Sequence, residues 1–144
     1  RGPWMSTKQF RTFVQPALRA QCDTWHKKGA YALLHSDGNI HAILSDVVEG
    51  GIDAYQCIDV QAGMDIAKVK REFGQQICLI GNVNLKILEK GTEREVAEDA
   101  LRCVNAAAPG GGYVLSPSAN VSLGTNLTNY FVMIKTAKKY GRYL

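Results

Sequence analysis

Residues 30–40, Ala30-Tyr31-Ala32-Leu33-Leu34-His35-Ser36-Asp37-Gly38-Asn39-Ile40 ("AYALLHSDGNI"), decide how the chain is read. An unbroken apolar run passes straight into a polar turn, with no in-and-out alternation. A strand of this kind is covered on both faces, as in a parallel sheet, whereas a strand with one wet face alternates. Three further runs have the same character, Ile52 to Ile58, Gln76 to Ile80 and Gly112 to Leu115, each bounded by glycine or polar turns. Helical patterns lie between them. "NIHAILSDVVEGG" ends in glycines, and "DIAKVKREFG" opens on Asp65 and stops at Gly74. "TEREVAEDALRCVNAA" begins with Thr92 and Glu95, a capping box in which each side chain satisfies the other's free backbone amide.

A helix over roughly Thr7 to Lys28 precedes the first strand, opened by the capping-box pair Ser6 and Gln9 and kinked or split by Pro16. The last helix runs from about Leu127 to Tyr140, with Val132, Ile134, Ala137 and Lys138 spaced to pack on the sheet. The expected class is α/β: a helix and then four parallel β/α units with right-handed crossovers, in one domain spanning residues 1–144. Four parallel strands leave two open edges, whereas a closed β/α barrel has eight strands. The chain also opens at Arg1, without methionine, in a loop-like stretch. It reads as half of a barrel.

With 144 residues, 46% of them hydrophobic, the chain is long enough to bury a core. Its apolar runs fall far short of the ~20 residues that span a bilayer, and no secretory leader is visible, so a soluble, cytoplasmic protein without membrane contact is expected. Lys and Arg outnumber Asp and Glu by 17 to 13, but the excess is scattered over helix faces and is not interleaved with aromatics, which argues against a nucleic-acid partner. Cys22, Cys57, Cys78 and Cys103 show no C-x-x-C and no short Cys/His spacing, so neither a zinc knuckle nor a redox pair is expected. Gly110-Gly111-Gly112 precedes a strand and not a helix, which favours an entry turn over a phosphate cradle. Trp4 and Trp25 are expected to cover the core.

His35 and Asp37 stand two apart at the end of a strand, so they share a face and both point toward one ligand if the segment edges an active site. The alternative is a turn made by Asp37-Gly38, with His35 a satisfied polar group. Spacing leaves both readings open.

The ordered set "GPWMSTKQFRTFVQPAL", "HSDGNI", "GGIDAYQCIDVQAGMDIAKVKREFG", "LIGNVN", "GTEREVAEDALRCVNAAAPGGGYVLSPSANV" and "MIKTAKKYGRY" resembles the C-terminal half of the uroporphyrinogen decarboxylase superfamily. That superfamily holds the haem-pathway decarboxylase and cobalamin-linked methyltransferases on an eight-stranded β/α barrel. The resemblance makes the four strands barrel strands five to eight. It places His35, Asp37, Asp59, Asn82, Asn84, Ser116, Ser118 and Asn120 at their C-terminal ends, the catalytic face of such a barrel. His35 and Asp37 are then the expected catalytic pair and the others the expected ligand-binding residues.

The departures bear on chemistry. The thiol-methylating branch holds zinc with His-x-Cys after strand five and a cysteine after strand eight; the matching positions here are His35, Asp37 and Ala119, so no tight metal site is expected. The strand-seven motif appears as Gly81-Asn82-Val83-Asn84, with an amide where a carboxylate is common. The decarboxylase's arginine-rich substrate loop belongs to the barrel half that this chain lacks, so no turnover and no bound cofactor are expected of the chain alone. The resemblance implies a fragment or half-length relative of a tetrapyrrole decarboxylase or corrinoid-linked methyltransferase. The alternative is a non-catalytic half-barrel that self-associates as a structural or small-molecule-binding module. The expected partner is either a second copy or the missing N-terminal half-barrel, covering an inward face built from residues such as Leu33, Tyr55, Ile80 and Val114.

Overall fold

The structure, a computed structural model, describes residues 2–142. Arg1, Tyr143 and Leu144 lie outside the described residues, including the end of the "MIKTAKKYGRY" match. Ser6 and Gln9 form the expected capping box and start α1 (Thr7–Gln9). The chain then passes through one π-helical turn at Phe10–Val14, closed by the Gln15 amide donating to the Phe10 carbonyl, and continues as α2 (Gln15–His26). Pro16 explains the turn: it has no amide to give, and widening the preceding turn lets the helix continue past it.

Four strands follow, β1 (Leu33–His35), β2 (Ala54–Cys57), β3 (Cys78–Val83) and β4 (Tyr113–Pro117), all parallel and side by side in sequence order. The helices are α3 (Leu44–Glu49), α4 (Ile66–Phe73), a short α5 (Leu85–Lys90), α6 (Glu93–Ala107) and α7 (Leu127–Tyr140). The expected α/β half-barrel is therefore the observed fold. Its boundaries differ from the sequence reading in instructive ways. β1 begins late because the Ala32 amide donates to the Asp53 carboxylate, 2.6 Å away, before the ladder starts. β3 runs on through Gly81 and Asn82, where turn residues suggested an end. Helix α5 was not expected at all.

Register sorts the strand residues into two faces. Leu34, Tyr55, Leu79 and Tyr113 form one row across the sheet, and His35, Gln56, Ile80 and Val114 form the next. The first row faces the helices, and there Tyr55 and Leu79 pack with Leu44, Val47, Ile66, Val69, Val96 and Ala100 in a single buried core. The second row belongs to the face that is inward in a barrel. Leu33 and Val114 are both about half exposed, at 50% and 49%. Tyr55 is thus corrected from the inward to the helix-covered face. On α7 the buried residues are Asn129, Met133 and Thr136, and Lys138 is exposed, so the packed face is rotated from the expected one.

The end helices lie beyond the outer strands. Helix α2 runs along α3, with Arg11 Nε 2.7 Å from Asp46 Oδ1 and Gln15 Nε2 2.8 Å from the Asp46 carbonyl. Helix α7 is held on the opposite side, where Asn129 Nδ2 donates to the carbonyls of Leu88 and Gly91 at 3.1 and 2.8 Å. Trp4 is fully exposed and Trp25 is 42% exposed, so neither covers the core as expected. The three glycines at 110–112 all take positive φ and turn the chain into β4, as expected of an entry turn. Among the described residues no helix is long and apolar enough to cross a membrane.

Candidate functional site

The C-terminal ends of the four strands lie together because the strands are parallel and in register, and each end carries polar side chains. His35 closes β1 on the inward face. Its Nδ1 is in close contact with Gln56 Oε1 on β2, and its Nε2 lies 3.7 Å from Asp37 Oδ2. With Nδ1–H donating to the amide oxygen, Nε2 is left free to accept a proton with a carboxylate alongside. The structure thus brings together the pair that the sequence singled out. Both are accessible, with side-chain exposures of 42% for His35 and 70% for Asp37. A cavity of about 420 Å3 opens between Pro3, Trp4 and Met5 and the loop Ser36 to Ile40, with Asp37 on its wall.

Asp37 also accepts from the Cys57 thiol, whose Sγ is 3.4 Å from Oδ1 and in close contact with the Ser118 carbonyl. Burial, reinforced by the neighbouring Asp37 carboxylate, pushes the Cys57 thiol up to about 12, so it stays protonated at neutral pH. Sequence reasoning read Cys57 as a small buried hydrophobe and missed its contact with the site. The signal was its position two residues before Asp59, at the end of an apolar run.

The other candidates divide into accessible and structural groups. Asp59 accepts from the amide of Gln61 at 2.8 Å and that of Gly38 at 3.3 Å, tying the β1 and β2 loops together. Asn84 caps α5 by accepting from the Lys86 amide at 3.0 Å and is bridged by Gln61 Nε2 at 2.8 Å. Ser116 shares a row with Asn82 and is partly exposed, and Asn120 is exposed on the loop after β4. Ser118 is fully buried, and its Oγ has no hydrogen-bond partner in the structure.

Asn82 is also fully buried and acts from within the scaffold. Its Nδ2 donates to the Ile58 carbonyl at 2.6 Å, and its Oδ1 and carbonyl accept from Arg102 at 3.0 and 3.1 Å. Arg102, on α6, also donates from Nε to Asp99 at 2.8 Å, and Asp99 accepts the Asn84 amide at 2.7 Å. Both Ile58 and Asn82 sit at positive φ, 55° and 93°, in a region side chains rarely occupy. Such strain persists when surrounding structure over-determines it, and it gathers at functional sites. Arg102 and Asp99 were not foreseen, since nothing local marks a helix residue that reaches a strand end.

Among the described residues, no three His, Cys, Asp or Glu side chains converge as a metal centre requires. Ala119 offers no donor and Asp37 brings an oxygen where that branch has a thiolate, so the thiolate zinc of the thiol-methylating branch does not fit this donor set. No step of the chemistry is routed through it.

Comparison with known proteins agrees with the architecture. The chain is 27% identical over 137 residues to the methylcobamide:CoM methyltransferase MtaA of Methanosarcina barkeri, a match covering 94% of this chain and 38% of the relative. Its fold superposes on a methyltransferase from Methanosarcina mazei with a TM-score of 0.80 at 24% identity, covering 96% of this chain and 39% of that one. The chain thus spans about two fifths of the length of these relatives. The uroporphyrinogen decarboxylase family model matches residues 2–140, almost the whole sequence and every element of the half-barrel, and the chain therefore belongs to the uroporphyrinogen decarboxylase family.

Proposed function

We propose that this chain supplies the strand-five to strand-eight half of a β/α-barrel active site and that the complete site transfers a methyl group from a corrinoid to a small acceptor. The carrying observation is the His35–Asp37 pair on the open inward face at the catalytic end of β1. In this reading His35 Nε2 takes the acceptor's proton as the methyl group arrives, and Asp37 stabilises the imidazolium that forms. Gln56 fixes the ring by its contact with Nδ1. Methyl transfer is preferred over tetrapyrrole decarboxylation for two reasons. The two relatives above are methyltransferases by name. Arg102, which would suit a substrate carboxylate, is already spent on Asp99 and Asn82.

The test joins the chain covalently behind the unmatched N-terminal portion of the Methanosarcina barkeri relative and measures demethylation of methylcobalamin in the presence of a thiol. Turnover is expected from the joined protein and not from the 144-residue chain alone. His35→Ala and Asp37→Ala are each expected to lower it by ~10^2 or more, the usual range for a lost acid or base, with thermal unfolding unchanged. A joined protein that folds but shows no methyl transfer refutes the proposal. Equal losses of stability and activity in both variants would make the pair structural.

A further inference from the structure

Consecutive residues of β2 touch the two members of the candidate pair. Gln56 is in contact with His35 Nδ1, and Cys57, the next residue, lies with its Sγ 3.4 Å from Asp37 Oδ1. What Cys57 does for the pair is an inference that rests on the catalytic reading of His35 and Asp37 above.

Asp37 needs an anchor if it is to act in one geometry. Its side chain is 70% exposed on the loop after β1, and a carboxylate so placed ordinarily exchanges among several rotamers. The adjoining loop residues do not fix it: Ser36 Oγ donates to the Asp37 backbone carbonyl, and the Gly38 amide donates to Asp59. His35 Nε2, at 3.7 Å from Oδ2, is too distant for a hydrogen bond. Among the described residues the Cys57 thiol is the one hydrogen-bond donor to this carboxylate. With Oδ1 taken by the thiol, Oδ2 is the oxygen left facing the imidazole.

Cys57 is itself rigidly placed. It is fully buried, and its Sγ also touches the Ser118 carbonyl just past the end of β4. In register, Gly81 of β3 stands between Cys57 and β4. Gly81 brings no side chain, and a Cβ there would lie 2.2 Å from the Cys57 carbonyl oxygen, so the thiol reaches β4 past bare backbone. The thiol has one proton and two oxygens in reach. A charged acceptor makes the stronger bond, which directs that proton to Asp37. Burial keeps the thiol protonated at neutral pH, so the donor is present whenever the carboxylate is ionised.

We propose that Cys57 is a positioning residue for the proposed reaction, its thiol holding the Asp37 carboxylate in the rotamer that faces His35. The first test uses the 144-residue chain and needs no turnover. Three-bond Hα–Hβ couplings of Asp37, measured by NMR, report whether its side chain keeps one rotamer. The infrared S–H stretch of Cys57, assigned by its loss in Cys57→Ala, reports the hydrogen bond. The parent is expected to show single-rotamer couplings, and Cys57→Ala to average them while the strand amide shifts are retained. Asp37→Ala, at an exposed position, is expected to move the S–H band to higher frequency. If Cys57→Ala does not fold, the band in the parent and in Asp37→Ala decides. In the protein joined to the relative's N-terminal portion, Cys57→Ala is expected to lower kcat about tenfold with KM unchanged, a smaller loss than removal of the carboxylate. In the Asp37→Ala background it is expected to add no further loss, since a residue that acts through another is not additive with it. Averaged couplings in the parent, couplings indifferent to Cys57→Ala, a band indifferent to Asp37→Ala, or an equal loss of kcat in both backgrounds would each overturn the inference. A joined protein without methyl transfer sinks only the proposed function, and the couplings and the band still decide whether Cys57 positions Asp37.

Discussion

Replacing Arg102 with methionine keeps the length and apolar stem of the side chain and removes its guanidinium. Three hydrogen bonds disappear, one to Asp99 and two to Asn82. Hydrogen bonds to charged groups contribute about 1.5–3 kcal/mol each when well shielded. The Arg102 side chain is 43% exposed, so solvent screening reduces this to about 1 kcal/mol each, or about 3 kcal/mol in sum. Two opposing effects follow. The Asn82 oxygens are left buried without their donor, which adds to the cost. The strained backbone at Ile58 and Asn82 is freed to relax, which offsets part of it at about 1–3 kcal/mol for each residue. A net loss of about 2–3 kcal/mol is expected, against the 5–15 kcal/mol typical of a folded domain. In urea, with a slope of about 2 kcal/mol per molar, the unfolding midpoint should fall by about 1–1.5 M without a change in slope. Arg102→Lys keeps the charge but not the forked geometry and should lose about half as much. A midpoint within about 0.3 M of the parent would refute the argument, since it would mean that the bonds from α6 do not hold the ends of β2 and β3.

Gly81 takes φ 134°, and a Cβ there would lie 2.2 Å from the Cys57 carbonyl oxygen, so Gly81→Ala is expected to destabilise by at least ~3 kcal/mol and to lower the thermal midpoint by about 10 °C. A shift below about 3 °C would show that the strand ends relax easily. Asp53 is subject to burial, which raises its proton affinity, but the Ala32 amide and His26 outweigh that, and its carboxyl is held below the usual range. A lowered carboxyl pKa stabilises the fold above the unfolded value of ~3.9, and that stability is lost as pH falls through the folded value. Asp53→Asn should therefore cost stability at pH 6, with the gap to the parent closing below about pH 4. Thermal midpoints that differ equally at pH 3 and pH 6 would refute this.

The sequence by itself determined the features that depend on neighbours along the chain. The capping pairs Ser6/Gln9 and Thr92/Glu95, the start of α4 after Asp65, and the alternation of the four strands with helices, the short α5 excepted, are local matters of hydrogen-bonding and hydrophobic period, and residues within one turn settle them. The pairing of His35 with Asp37 was legible for the same reason, because residues two apart in an extended segment share a face. What only the tertiary structure decided depends on residues far apart in the chain. Tyr55 was placed on the wrong face because a continuous apolar run has no alternation to mark its inside; the register with Leu34 and Leu79 supplies that mark. The extension of β3 through Gly81 and Asn82 overrides turn propensity because Arg102, twenty residues on, holds Asn82 through both its amide and its carbonyl. Cys57 owes its raised pKa to burial and to Asp37, twenty residues before it, and Asn84 became a helix cap because α5 begins where β3 ends. Such contacts form only once the strands are aligned, so no local pattern in the chain could announce them.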